Sequence, residues 1–472
     1  MAGKQQLEAA LQIVETLRSR GYDAYLAGGC VRDLLLKREP ADYDVATNAT
    51  PDVVLEMFPR TFAVGAHFGV VLVAPQIEDA GFVTEVATFR SDLSYSDGRH
   101  PDGVRYTKTA AEDVERRDFT INGLLLDPLR PLRDGGLLDP PGGGRLLDEG
   151  ISNPKLFRAA VLDFVGGLAD LDAGIIRAIG RPEQRFAEDH LRMLRAIRFA
   201  ARFGFELEPE THRAIRSLAS RIHAVSRERI RDELTKMLTE GHARRAFELL
   251  DETGLLAEVL PEIARMKGVE QSPQYHPEGD VWIHTLMLLE QLPPQCSMTL
   301  AWGALLHDVG KPPTFRRAPD RIRFDGHVEI GVAMGAEICR RFRFSNEETR
   351  QVLALIENHM RFMDAPRMKA STLKRFFRLE HFDEHLALHR MDCLAASGNL
   401  EHWDFVRERF SSMPVESVRP KPLLTGRELI AVGYAPGAQF REMLRAAEDA
   451  QLEGTISTAE EALQLVRERF PS

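Results

Sequence analysis

Asp42 and Asp44 stand one residue apart in AGGCVRDLLLKREPADYDVAT (27–47), downstream of Gly28-Gly29. Side chains at i and i+2 of a strand share a face. Two carboxylates so placed repel each other unless a divalent cation lies between them. Gly28 and Gly29 let the backbone approach a polyphosphate closely, and a helix beginning near Val31 points its positive end at that phosphate. A phosphate cradle beside a metal-binding carboxylate pair is the equipment of two-metal nucleotidyl transfer. A lone Asp-x-Asp is usually a surface turn. The GG-x-x-RD run ahead of it, ending in Arg32 and Asp33, sets this one apart.

Three further groups bear on the same chemistry. Glu85, in the alternating run FVTEVATF (82–89), offers a third acid on the same sheet, although one strand glutamate is not specific. ERRDFTINGL (115–124) gathers Arg116, Arg117, Asp118 and Asn122 at the expected start of a helix. Arginine chelates phosphate oxygens, aspartate accepts from a ribose hydroxyl, and Asn122 at i+4 shares the face of Asp118. By itself that segment reads equally as a capped helix with a salt bridge. AEDHLRMLRAIRFAARFGF (187–205) reads as one amphipathic helix on which Asp189 and Arg192 share a face. Arginine only donates and ionised aspartate only accepts. Held outward, the pair matches the Watson–Crick edge of cytosine or adenine without a template; as an exposed ion pair it is worth little.

A second ordered set, His284, His307-Asp308, His327, His359 and Asp392, falls on expected helices. Imidazole with carboxylate suits a transition metal: Ni, Co, Mn, Fe or Zn. A single His-Asp on a helix is weak evidence, whereas HD-x-GK-P with a histidine upstream and later His and Asp is strong. Lys311 either meets a substrate phosphate or is a surface lysine, and His276 either lines the site or sits in a loop.

The elements that must position these groups follow from periodicity. Residues 1–20 read as a helix, DAYLAGG (23–29) as a buried strand, ADYDVAT (41–47) as the next strand and PDVVLEMF (51–58) as a helix with proline near its start. FGVVLVAP (68–75) and FVTEVATF read as strands. The Gly/Pro-rich stretch 127–150 marks a boundary or insertion, and the chain beyond Asp163 is almost all helical. The expected domains are 1–145, 146–265, 270–400 and 401–472. No apolar run approaches the ~20 residues of a membrane span. Cys30, Cys296, Cys339 and Cys393 are scattered without a C-x-x-C pair, which suits a reducing cytoplasm. The net charge of −10 runs against an RNA partner. The arginines at 177, 181, 185, 192, 195, 198 and 202 nevertheless allow a local basic face.

The order GG-x-x-RD, D-x-D, RRDF-x-x-N, ED-x-x-R resembles the bacterial class II tRNA nucleotidyltransferases, the CCA-adding enzymes, which share their head with bacterial poly(A) polymerases. The resemblance covers residues 20–260. It implies an α+β chain: a polymerase-β-like head with a small mixed sheet and helices, then an all-α neck and body, an all-α HD domain and a helical tail. It also implies CMP and AMP addition from CTP and ATP to the tRNA 3′ end. Asp42 and Asp44, with Glu85, would bind Mg²⁺, while Gly28, Gly29, Arg32 and Asp33 serve the triphosphate and its loop. Arg117, Asp118 and Asn122 handle phosphate and sugar; Glu188, Asp189 and Arg192 read the base, and Arg195 completes the nucleotide site. SRERIRDELTKML (226–238) looks like the supporting neck helix. CC-only relatives lack a loop between the second and third motifs, and here TFRSDLSYSDGRHPDGVRYT (88–107) is present.

Residues 270–400 look like an HD-type metal-dependent phosphohydrolase domain, which poly(A) polymerases commonly lack. An A-adding enzyme, a poly(A) polymerase, and an HD phosphohydrolase with a nucleotide-sensing head that does not catalyse are the other readings. The tail and the oligomeric state are not legible.

Overall fold

Short runs of Val, Ala and Thr form the strands that carry Asp44 and Glu85: Val45, Ala46 and Thr47 are all buried, while burial alternates along Thr84–Thr88. The computed structural model describes residues 2–63, 69–75, 81–92, 104–129, 154–274 and 276–471. Two units emerge: Met1–Met237 with Arg245–Leu260, and Leu238–Arg244 with Pro261–Ser472. Most of the expected loop 88–107 and of the stretch 127–150 lies outside the described residues. No helix among the described residues is long and apolar enough to cross a membrane.

In the first unit, β1 (Ala24–Ala27), β2 (Asp44–Thr47), β3 (Thr61–Phe62), β4 (Val70–Val73) and β5 (Thr84–Thr88) are followed by a hairpin of β6 (Arg90–Asp92) and β7 (Val104–Tyr106). β8 (Leu125–Leu126) and β9 (Val161–Leu162) complete a seven-stranded sheet of order β3-β4-β5-β2-β1-β8-β9. β2 and β5 run parallel and the other pairs antiparallel, so the sheet is mixed. The amphipathic helix Ala2–Ser19 buries Ala10, Val14 and Leu17.

Three boundaries differ from expectation. β2 begins only at Asp44, and Asp42 precedes it. The helix before the RRDF motif, Ala110–Glu115, stops short of it, and Thr120–Asn122 is a single 3₁₀ turn. The helix expected over 187–205 is two helices, Pro182–Glu188 and Leu191–Phe203, broken at an extended Asp189. The break has a cause: the Asp189 carboxylate accepts from the Leu191 N–H at 3.0 Å, which caps the second helix instead of continuing the first. That second helix ends at Gly204, whose φ of +69° is the left-handed conformation that glycine adopts freely.

The second unit is helical. Met298–Leu306 is apolar on every side and is enclosed by the helices Val281–Glu290, Asn346–Asn358 and Phe382–Ala395. Trp302 is fully buried against Phe342 and Phe344. Gln439–Glu453 and Ala459–Arg469 form a smaller core with Leu424, Leu429 and Met443. Arg375 and Arg378 bind Glu448 across to that helix.

Within the first unit, Arg198 and Glu233 form a buried ion pair at 2.7 Å, joining Leu191–Phe203 to the helix Arg227–Thr239. Removing either partner takes the close counter-charge away from a buried ion. Glu233→Ala should therefore cost the unit about 3 kcal/mol in denaturant unfolding, and Arg198→Met combined with Glu233→Leu should recover most of it.

Candidate functional site

In parallel pairing Val45 lies opposite Val86, so Asp44 and Glu85 enter adjacent strands side by side. The pairing of Ala27 with Asp44 sets the acid beside the strand end that leads into Gly28. Asp42 is exposed, Tyr43 turns inward and Asp44 is half-buried, the alternation of extended chain that returns 42 and 44 to one side. Burial and then the neighbouring Glu85 and Asp42 carboxylates push the Asp44 carboxyl up to about 7, against the pull of Arg117. Loss of solvent and Asp42 raise Glu85 as well. Crowded carboxyls this reluctant to ionise fit a cation among them, and an all-oxygen donor set suits a hard ion such as magnesium.

Gly28 has a φ of +71° and introduces the helix Gly29–Leu35. A Cβ there would meet Arg117 Nη1 at 2.9 Å. Arg117 is anchored by Asp113 at 3.1 Å and reaches toward the acidic group. Arg32 is buried: it bonds Asp33 at 2.8 Å and Asn122 at 2.5 Å, with Phe199 and Phe203 against its guanidinium. Asn122 in turn donates to Asp118 at 2.9 Å, and Arg195 donates to the other Asp118 oxygen at 2.6 Å. Burial alone would raise the Asp118 carboxyl; Arg195 and Asn122 outweigh it and hold the group at about 2.

Around Asp189 and Arg192, the partners differ from those expected. Arg192 lies on Glu188 at 2.5 Å and also on the Arg185 carbonyl. Asp189, placed outside the helix by the break, pairs instead with Arg229 at 2.7 Å. The structure thus brings Glu188 and Arg192 together and does not put Asp189 and Arg192 on one helical face. Asp113, which holds both Arg116 and Arg117, went unread because one acid in a short helix carries no sequence signal.

In the second unit, His307 and Asp308 follow the end of Met298–Leu306 instead of lying on it. His327 opens the helix His327–Arg341, His359 opens a 3₁₀ helix, and His284 and Asp392 project from Val281–Glu290 and Phe382–Ala395. All six converge. His284 Nε2 is 3.0 Å from Asp392, and His307 Nε2 is 3.1 Å from Asp308. Neither nitrogen has a hydrogen-bond partner of acceptable angle, although both are buried. Orphaned imidazole nitrogens turned toward two carboxylates fit a bound transition metal. The Nδ1 atoms are held from behind, His284 by Glu278 at 2.7 Å and His307 by the Ala304 carbonyl at 2.8 Å, which fixes the rings. Burial disfavours the charged His284 ring, but Asp392 and Glu278 prevail and raise it to about 9.

Lys311 is no surface lysine: it is buried, with Nζ 2.7 Å from Asp308 and 2.6 Å from Gln271. His276 packs edge-on to His284 and lines an open cavity of about 680 Å³ that reaches His327, His359 and Asp392. Glu278 was missed; its one clue was its position in QYHPEGDVW, between two histidines.

Three family models match the chain in order: the Poly A polymerase head domain over residues 24–153, the probable RNA and SrmB-binding site of polymerase A over 204–267, and the HD domain over 275–396. Head, helical segment and HD domain in this order define a nucleotidyltransferase joined to an HD unit. The CCA-adding enzyme of Geobacillus stearothermophilus is 30% identical over 463 residues, covering 98% of this chain and 96% of its own. This chain belongs to the CCA-adding enzyme family. The CCA-adding enzyme of Geobacillus sp. (strain WCH70) is 41% identical over 252 residues, and the match spans 53% of this chain and 54% of that relative. The solved Bacillus stearothermophilus CCA-adding enzyme in complex with CTP aligns with a TM-score of 0.71 at 27% identity, over 98% of both chains.

Two outcomes follow from the geometry. Gly28→Ala forces a side chain into a left-handed backbone against Arg117; kcat/KM for the nucleoside triphosphate should fall about tenfold or more in steady-state assays. Asp118 is more acidic folded than unfolded, so its stabilisation is complete above about pH 4 and disappears as pH falls through about 2. The stability gap between wild type and Asp118→Asn, about 2 kcal/mol at neutral pH, should close over that window in denaturant titrations.

Proposed function

We propose that this chain builds or repairs the CCA end of tRNA, adding CMP and AMP from CTP and ATP without a template. The carrying observation is the acidic group Asp42, Asp44 and Glu85 beside the Gly28 turn, with Asp44 raised to about 7. Asp42, Asp44 and Glu85 would hold magnesium. Two ions held there would supply the charge that lowers the pKa of the RNA 3′-hydroxyl for its attack on the α-phosphorus and that neutralises the triphosphate oxygens as pyrophosphate leaves. Gly28 keeps the backbone close enough for the phosphates, and Arg117, fixed by Asp113, meets their charge. Arg32 is spent on Asp33 and Asn122, so it shapes the loop and does not reach the ligand. Asp118 and Asn122, assigned to the sugar by the family resemblance, are buried and bonded to each other, to Arg195 and to Arg32, so they act by shaping the site. Glu188, Asp189, Arg192 and Arg195 form the surface against which the base is matched. Glu188 and Arg229 preset the two base-reading side chains, Arg192 and Asp189.

We assign residues 1–145 to the head, 146–265 to the neck and body, 270–400 to the HD domain and 401–472 to the tail. A second activity is proposed for the HD domain, a metal-dependent phosphohydrolase using His284, His307, Asp308, His327, His359 and Asp392, because the buried His284 and His307 Nε2 atoms lie against Asp392 and Asp308 without a well-aligned hydrogen bond. Four free cysteines support a cytoplasmic setting.

Asp44→Ala should lower CMP incorporation about 10³-fold or more, since several kcal/mol of charge stabilisation goes with the ligand. With tRNAs ending at the discriminator, at C and at CC, sequencing of wild-type products should show arrest at CCA. Single A additions only, or long A tails, would replace this reading with A-adding or poly(A) activity. No extension by wild type would remove it.

A further inference from the structure

Arg185 precedes Glu188 by three residues, and all three of its guanidinium nitrogens donate. Nε bonds the Ile179 carbonyl at 3.1 Å and Nη2 the Glu115 carbonyl at 2.6 Å. Nη1 bonds both the Arg116 carbonyl at 3.2 Å and Glu188 Oε2 at 2.9 Å. The carbonyls of Glu115 and Arg116 close the helix Ala110–Glu115 directly before Arg117. Ile179 follows Ala178, which bridges to Phe119. One side chain therefore braces the base-reading break against the backbone of the third motif.

Glu188 Oε2 is shared, because Arg192 Nη1 donates to the same oxygen at 2.5 Å. Arg192 Nη1 also reaches the Arg185 carbonyl at 3.0 Å, and its Nη2 the Arg116 carbonyl at 3.4 Å. A Glu–Arg pair by itself, with the glutamate side chain 29% exposed, is held weakly and can turn to solvent. Arg185 removes that freedom by pinning the oxygen on which Arg192 leans. Arg192 is left with its Nε–H and one Nη2–H, side by side. Such a fork meets a ring nitrogen with a lone pair, as in cytosine and adenine. It clashes with the ring N–H that uracil and guanine present on the same edge.

We infer that Arg185 is a positioning residue for base selection: it fixes Glu188, and through Glu188 the direction of Arg192, against the backbone leading into Arg117. This rests on the proposed reading of the chain as a CTP- and ATP-using transferase and adds a residue to its base site. Four of the five N–H donors of Arg185 are engaged within the protein, so it acts through Arg192 and not on the nucleotide. Its loss should therefore relax the choice of base.

Single-nucleotide addition by the full chain reads that choice, with CTP against UTP on tRNA ending in C and ATP against GTP on tRNA ending in CC. Wild type should favour CTP and ATP. Arg185→Met, which keeps a long stem but no donors, should lower both kcat/KM ratios about tenfold. Arg185→Lys, with a charge beside Glu188 but without the full set of carbonyl bonds, should fall between. Because the two arginines act as one unit, adding Arg185→Met to Arg192→Met should lower the ratios no further. Circular dichroism checks folding, and the Lys variant carries the comparison should the Met variant not fold. An arginine that only supports the fold would lower kcat/KM for all four nucleotides together. Unchanged ratios in folded variants, or an additive double variant, would overturn the inference and leave the transferase reading standing. Wild type that extends nothing, or takes UTP as readily as CTP and GTP as readily as ATP, would overturn both.

Discussion

Like charges held close together govern the acidic site of the first unit. At the start of the central strand β2, Asp44 is driven to about 7 because backbone pairing places it next to Glu85 while the approach to the strand brings Asp42 alongside. Repulsion of this kind is tolerated only where something of opposite sign is expected. The surrounding machinery reads as a response to it. Arg117 leans toward the acids and is itself steadied by Asp113, and the Gly28 turn leaves room for a polyphosphate. The second unit instead sets opposite charges together: Asp308 and Asp392 converge with His284 and His307, whose rings outweigh burial and hold both carboxyls well below their usual range.

The buried polar chain from Arg32 through Asn122 and Asp118 to Arg195 is the other organising feature. Each member satisfies its neighbour, which is how ionised groups remain inside a core. It links the helix Gly29–Leu35 after the first strand, the turn of the third motif and the helix Leu191–Phe203. These segments are far apart in sequence. Their side chains are complementary in pairs, donor to acceptor, and that complementarity fixes how the three segments meet.

Much of this was legible before any coordinates. The alternating runs announced the strands, and the ordered acidic and histidine motifs named the groups that meet. Two kinds of information were not. Helix continuity through Asp189 looked secure from spacing, yet one side-chain-to-backbone bond at Leu191 was enough to break it and hand Asp189 to Arg229. Burial was equally hidden: nothing in HDVGKP distinguishes a surface lysine from one enclosed by Asp308 and Gln271. Partner choice depends on long-range packing, which a periodic pattern does not encode.

The guanidinium of Arg32 has a mechanical consequence. It lies 4.6 Å from the centre of the Phe203 ring and 5.2 Å from that of Phe199, so the helices Gly29–Leu35 and Leu191–Phe203 grip each other through a flat cation on two flat rings. A tug on either is transmitted to its counterpart. On the proposed reading of Arg192 and Asp189, any selectivity between bases would then rest on those side chains themselves, because Arg32 ties their backbone supports to the start of the sheet.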